Sequence, residues 1–346
     1  MLRYLTAGES HGKAILGILE GMPAGLRIDK AIIDQQLRRR QKGFGRGKRM
    51  QIEKDRVEII SGLKAGKTLA SPIGLLIFNK DFSLERLPQV SSPRPGHADL
   101  AGLLKYGFFD AREVLERASA RSTAARVAIG AICKIFLQEF GISVLSKVLS
   151  VAGEVSSFGK KEIIQEAIKK KDTVGGIFEV RAKDVPVGLG SYVEADRRLD
   201  ARIAKEVIAI PGIKAIEFGL GFGFAVSFGS EVHDAIYYTK KKGYFRKTNN
   251  AGGIEGGVSN GEDIVIRACM KPISTLLNPL PSVNIKTKKP SLAAVERSDT
   301  CVVEAAAVVA EAAVCFVLAD AFLEKFGADS LADIKRNYQN YLKRVR

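Results

Sequence analysis

A short β-like run opens the chain over residues 2–21 and is broken by the polar, glycine-bracketed stretch GESHG at 8–12. Apolar and polar positions alternate again over 57–77, with turns at Ser61-Gly62 and Ala65-Gly66-Lys67, so this stretch predicts a β-hairpin. Between them Ile32, Ile33 and Leu37 recur at helical spacing and predict an amphipathic helix over 28–40. Helical sequence then runs from about Ala98 to about Phe140.

The centre of that helical region, residues 115–133, has unusually small side chains: Ala118, Ser119, Ala120, Ser122, Thr123, Ala124, Ala125 and Ala128. The large exceptions are Arg117, Arg121 and Arg126, and Glu116 is the only acid. A surface helix would spread Glu and Lys over its outer face. Two readings follow, a core helix with solvated arginines or a helix beside a bound anion with Arg117 facing it. The rest of the chain favours the anion.

The second half reads as strand, helix (160–171) and strand over 141–183, then a helix over 194–210 and a β-like run over 216–230. Another strand is predicted over 264–270, and a long Ala/Val-rich helix over 300–325 with Ser298 or Asp299 as its N-cap. Residues 334–346 read as a basic, peripheral tail. The halves echo each other. PAGL at 23–26 and PVGL at 186–189 each precede a helix, and Arg117 and Arg297 each begin a long Ala-rich helix ending in Phe-Gly. We therefore expect one domain over 1–346 built from pseudo-repeat halves, roughly 1–141 and 172–327.

Composition narrows the class. With 346 residues, 46% hydrophobic, the chain can bury a large core. Cys133, Cys269, Cys301 and Cys315 lack paired metal spacing, so we expect no metal site and reduced packing thiols in a cytoplasmic protein. The N-terminal MLRYLTAGESHG has no apolar run of the secretory kind. Glu304, Glu311 and Asp320 interrupt the most apolar late stretch, so no membrane span is expected. Lys and Arg exceed Asp and Glu by 54 to 38, a formal charge of +16, which asks for an anionic partner.

Seven of the twelve residues at 38–49, RRRQKGFGRGKR, are Lys or Arg and none is acidic. The stretch could be a nucleic-acid arm or a flexible lid closing charge over a small anion, a task suited to the planar guanidinium fork. A nucleic-acid arm would interleave aromatic side chains for stacking; only Phe44 is present and the chain has no Trp. The chain has three histidines. His11 lies in the GESHG loop, His97 follows the Pro95-Gly96 turn before a predicted helix, and His233 reads as structural. Imidazoles change charge near neutrality and suit proton traffic. The loop at 248–261, with five glycines, could offer successive backbone N–H groups to an anion or a flavin edge. A Rossmann-type oxidoreductase is disfavoured because no G-x-G-x-x-G strand–helix fingerprint is present.

Taken together these stretches closely resemble chorismate synthases. The resemblance is carried by TAGESHG at 6–12, LRRRQKGFGRGKRM at 37–50, RPGHADL at 94–100 and KYGFFDAREVLERASAR at 105–121. It continues through VPVGLGSYVEADRRLDARIA, EFGLGFG, NNAGGIEGG, KPISTL and ERSD to residue 299. It implies an α+β fold, a β-α-β sandwich with long central helices between two antiparallel four-stranded sheets, assembled as a homotetramer. It also implies the anti-1,4 elimination of phosphate from 5-enolpyruvylshikimate 3-phosphate to give chorismate, with reduced FMN and no net redox.

By the same resemblance His11 would keep the flavin correctly protonated, His97 would act as general acid toward departing phosphate, and Asp299 would assist proton removal. Flavin positions carry over to Arg117, Ala118, Ser119, Pro211, Gly212, Gly256, Lys271, Pro272, Ile273, Ser274, Thr275 and Arg297. Arg40 and Arg46 match arginines that the family uses for NADP, and they would equally suit the substrate's anions. Two departures stand out: Ser122 where many members have Glu, and Pro211-Gly212 where many have Asn-Ala. No segment is left for a flavin-reductase domain, so an external reductase would supply reduced FMN.

Overall fold

The computed structural model describes residues 2–47, 53–296 and 298–345. Strands β1 (Arg3–Ala7), β2 (Ala14–Glu20), β3 (Glu58–Ile59) and β4 (Ile73–Phe78) form an antiparallel sheet in the order β1-β2-β4-β3. Strands β5 (Ser143–Val151), β6 (Gly176–Lys183), β7 (Ile213–Phe218) and β8 (Ile264–Met270) form a second, in the order β5-β6-β8-β7. The alternation predicted over 57–77 appears in β4, where Ile73, Leu75 and Ile77 are buried and Phe78 faces outward.

The helices are α1 (Lys30–Gln41), α2 (Asp99–Tyr106), α3 (Ala111–Ala118), α4 (Thr123–Gln138), α5 (Ser157–Lys170), α6 (Leu199–Ile208), α7 (Val303–Phe326) and α8 (Leu331–Val345). The long helices α4 and α7 pack along each other. On their other sides α4 covers β2 and β4, and α7 covers β5 and β6, with α1 and α6 alongside. Small residues let α4 and α7 approach: a Cβ built on Gly130 would lie 2.4 Å from the Cβ of Ala312. Helix α7 is long and apolar enough to cross a membrane, but 89% of that apolar window is buried within the protein. Its apolar length serves the core. The chain is therefore α+β, with antiparallel sheets.

Four sequence readings change. The helix expected through 98–140 is interrupted at Gly107 and again at Ser119, whose backbone is extended (φ −62°, ψ 142°). The Ser119 hydroxyl accepts from the Arg121 N–H and donates to Ser10 Oγ, offering the backbone an alternative to helix continuation. The β-like reading of 216–230 holds only to Phe218. Gly219 and Gly221 take φ of 55° and 59°, and a 3-10 turn follows over Gly221–Val226. Neither Ser298 nor Asp299 caps α7, which starts at Val303 with no side-chain cap. Finally, residues 334–345 are not a peripheral tail but most of α8. Ile334 is fully buried, and Tyr338 sits among Phe140, Phe322 and Phe326 with centroids 5.2–5.5 Å away.

The cysteines behave as packing residues. None is in a disulfide, and Cys133, Cys301 and Cys315 are buried. Burial pushes the Cys133 and Cys315 thiols well above the ordinary range, which leaves them as thiols.

Candidate active site

A cavity of about 450 Å³ opens where the N-terminal ends of α4 and α7 meet the loops before α2, α7 and after β8. That volume suits a small organic ligand. Its wall carries His11, His97, Arg40, Arg46, Arg94, Arg121, Lys271 and Asp299.

The floor is a buried ion cluster. Arg40, at the end of α1, donates through Nη2 to Asp55 at 2.7 Å, and Arg121 donates through Nη1 to both Asp55 oxygens at 2.6 and 2.8 Å. Burial alone would raise the Asp55 pKa, but the two guanidinium groups outweigh it and hold the carboxyl below its usual range. Burial also pulls the Arg40 pKa down, with Arg121 and Arg46 adding to that and Asp55 opposing it. Among the described residues Arg40 Nε, Arg46 Nε and Arg121 Nη2 are buried donors without a hydrogen-bond partner, Arg121 Nη2 facing Glu53 at 3.9 Å. All three arginines line the cavity, and guanidinium groups there suit a bound anion.

His11 is placed by its loop. The Asn79 amide donates to the carbonyls of Glu9, Ser10 and Gly12, and the Ser10 N–H reaches the Glu116 carbonyl at 2.9 Å. Glu116 accepts from the His11 backbone N–H at 2.8 Å and meets its Nδ1 at 2.9 Å. Across the cavity, His97 Nδ1 lies 2.5 Å from Asp99, which is fully buried. Arg94 donates to Asp99 through Nε (2.8 Å) and to Thr275 Oγ1 (2.7 Å). Lys271 Nζ bonds the Gly96 carbonyl and Ser274 Oγ. Burial lowers its pKa, with Lys214 adding to the effect. Thus the 94–99 turn and the 271–275 loop are tied together.

Asp299 accepts from the Gly47 N–H at 2.5 Å and faces Arg46 Nη1 at 3.5 Å. The carbonyl of Gly45 accepts from Thr300 at 2.8 Å. Up to Gly47, then, the basic segment is docked on the start of the last long helix. Lys48 and Arg49 lie outside the described residues.

The family model for chorismate synthase matches residues 2–323. The chain belongs to the chorismate synthase family. It is 55% identical to chorismate synthase of Caldanaerobacter subterraneus subsp. tengcongensis, over 100% of this chain and 99% of that one. It is 50% identical to that of Geobacter sulfurreducens over all of both chains. A crystal structure of a chorismate synthase matches with a TM-score of 0.82 at 42% identity, over 99% of this chain and 98% of that one. The function is accordingly that of a chorismate synthase, a carbon–oxygen lyase of aromatic biosynthesis.

Most positions singled out by the family motifs line this one cavity: His11, His97, Asp299, Arg40, Arg46, Ala118, Ser119, Pro211, Gly212 and Lys271 through Thr275. Arg117 does not. It is exposed, and its guanidinium donates to the carbonyls of Thr6 and Gly8. Gly256 is also outside the lining, at an exposed turn. Nor are the amides of Asn250 and Ala251 in the neighbouring Gly-rich loop offered to a ligand; they bond the Asp234 carboxylate. Arg297 lies outside the described residues. The residue reading passed over Arg94, Thr123, Asp99 and the partner role of Glu116. The i, i+3, i+5 spacing of Arg94, His97 and Asp99 within RPGHADL was the available signal.

Proposed function

We propose that this cavity is where 5-enolpyruvylshikimate 3-phosphate loses phosphate and a ring proton in an anti-1,4 elimination, beside reduced FMN and without net redox. The observation that carries the reading is the meeting of both loop imidazoles, Asp299 and the guanidinium groups of Arg40, Arg46 and Arg121 in one cavity. The substrate carries a phosphate and two carboxylates, and FMN carries a further phosphate. Fixed cations in a partly desolvated site stabilise such anions and the charge that builds on departing phosphate. Bound reduced FMN supplies electron density that eases cleavage of the allylic C–O bond.

The residues then divide the work. Arg40 and Arg46 serve the substrate's anions rather than NADP, because both side chains line the cavity together with Arg121. His97 gives a proton to the leaving phosphate, His11 holds the proton state of the flavin edge, and Asp299 assists removal of the ring proton. Ala118, Ser119, Pro211, Gly212 and the 271–275 loop hold the flavin. Pro211 has no N–H to give, so Gly212 and side chains supply donors there.

Several broader assignments belong to the same reading. The layers form a β-α-β sandwich, four copies assemble as a homotetramer, the enzyme is cytoplasmic, and a separate reductase supplies reduced FMN. The halves descend from a duplication. Both sheets have strands in the order first-second-fourth-third, a helix between the second and third strands, and a long helix after the fourth. The second unit would begin at β5, since a boundary at 172 would cut off its first strand.

The test is an anaerobic assay with reduced FMN and substrate, following chorismate absorbance. We expect turnover in the parent chain and its loss in His11→Ala and His97→Ala proteins that retain the parent circular dichroism. Salt-sensitive RNA binding without turnover would overturn the reading.

A further inference from the structure

Both cavity imidazoles have a buried carboxylate on the same ring edge. Glu116 Oε1 lies 2.9 Å from His11 Nδ1, while Glu116 Oε2 accepts the His11 backbone N–H at 2.8 Å. Asp99 Oδ1 lies 2.5 Å from His97 Nδ1, and the other Asp99 oxygen accepts from the Arg94 backbone N–H and Nε. The carboxylates reach the rings from different elements. Glu116 comes from the end of α3, 105 residues from its histidine, and Asp99 from the start of α2, two residues from its own.

The two carboxylates are also ionised. Burial alone would raise each pKa; hydrogen bonds from His11 to Glu116, and from His97 and Arg94 to Asp99, bring both below the ordinary carboxylate range. An ionised carboxylate can only accept hydrogen bonds. The ring nitrogen facing it then carries the proton, and at His97 the 2.5 Å approach to Asp99 outweighs Arg94 Nη2, 3.2 Å from the same Nδ1; this leaves Nε2 as the nitrogen whose protonation can change.

We propose that Glu116 and Asp99 are positioning residues that hold His11 and His97 as Nδ1–H tautomers, so that Nε2 is the working nitrogen of each. This rests on the reading that the two imidazoles move protons at the cavity. The two anchors are embedded differently. Arg94 grips Asp99 and also reaches Thr275, so changing Asp99 releases a second buried charge. Glu116 has a looser cationic neighbour, Arg112 at 3.6 Å, itself paired with Glu296 at 2.7 Å. Glu116 therefore gives the cleaner variant.

In Glu116→Gln the single carboxamide oxygen stays on the His11 backbone N–H. The amide NH2, in place of Oε1 at 2.9 Å, then lies nearer Nδ1 than the oxygen at 3.1 Å, so the tautomer balance moves toward Nε2–H. With only three histidines, full-length protein labelled with 15N-histidine gives a spectrum that His233→Asn and His97→Gln proteins assign. We expect Nδ1–H signatures for His11 and His97 in the parent chain. In Glu116→Gln the His11 pair should shift toward an Nε2–H signature while His97 stays unchanged. Turnover should fall on the order of tenfold or more with KM inside about threefold, the pattern of impaired proton transfer.

An Nε2–H signature for either histidine in the parent chain overturns the proposal for that residue without any variant. An unchanged His11 signature in Glu116→Gln, or a changed one with turnover inside twofold, overturns it for Glu116. Full turnover in His11→Ala would instead remove the underlying reading and leave the tautomer result standing.

Discussion

Arg40 and Asp55 pair at 2.7 Å with side chains 5% and 0% exposed, so neither charge shares its partner with water. Arg121 bonds the same carboxylate, so one close anion serves two guanidinium groups. Such pairs contribute little against an apolar alternative, but removing one partner leaves an uncompensated buried charge. Here Asp55→Ala would leave Arg40 uncompensated and Arg121 with only the more distant Glu53, at 3.9 Å. We expect it to cost on the order of 3–5 kcal/mol, read from urea unfolding followed by circular dichroism. A cost under about 1 kcal/mol would mean that the cluster relaxes into solvent.

Acid should unfold this protein through a small set of carboxylates. Asp55, Asp99, Glu116 and Glu311 would all be raised by burial alone, yet cationic or imidazole partners bring each below its ordinary value. For Glu311 the partners are Arg39 and Lys134. A folded pKa below the unfolded value means that the unfolded chain binds protons first as pH falls. The stabilisation is complete above the unfolded carboxylate range, about 4, and is lost as pH drops through it toward the folded values. The urea midpoint should fall steeply below about pH 4.5, and less steeply in Glu311→Gln. A midpoint that rises on acidification would contradict this account.

How far the sequence discloses these arrangements depends on the range of the interaction. Strands and helices with clean periodicity, such as Ile264–Met270 and Lys30–Gln41, are legible because period and caps are local. The corner at Ser119 is not, since its hydroxyl chooses between the helix and Ser10, 109 residues away. Motifs brought His11, His97 and Asp299 to one cavity. They gave no sign that Arg117 would turn to the Thr6 and Gly8 carbonyls, because that choice depends on where β1 ends. The buried floor was half visible. Arg40 stood out in a basic run, whereas Asp55 became a partner only once the fold closed.

The crossing of α4 and α7 should reject the smallest possible side chain. Alanine is the better helix former by up to about 1 kcal/mol, so Gly130→Ala would stabilise an isolated helix. In the folded chain its new Cβ would lie 2.4 Å from the Ala312 Cβ and 2.6 Å from the Ala312 carbonyl oxygen. Backbone cannot rotate aside as a side chain can, so the helices must part. Overpacking of this kind costs roughly 1–3 kcal/mol, and we expect a net destabilisation with a lower melting temperature. A Gly130→Ala protein as stable as the parent would show that the two helices slide freely.

Stability and chemistry should separate at the other end of those helices. The Tyr338 ring of α8 meets Phe140, in the turn that follows α4, and Phe322 and Phe326 of α7, all on the side of the fold away from the cavity residues named above. Edge-to-face ring pairs add to the burial of the ring itself. Because Tyr338 is only half-buried, Tyr338→Ala should cost about 2 kcal/mol, below the range for a fully enclosed aromatic. Helix α8 touches the core through Leu331, Ile334, Tyr341 and this ring, so the loss should appear first as faster hydrogen exchange along residues 331–345. Turnover in the anaerobic assay should stay within twofold of the parent at temperatures below the new melting point. A large fall in turnover with unchanged stability would instead tie the aromatic cluster to the cavity, through α4 and α7.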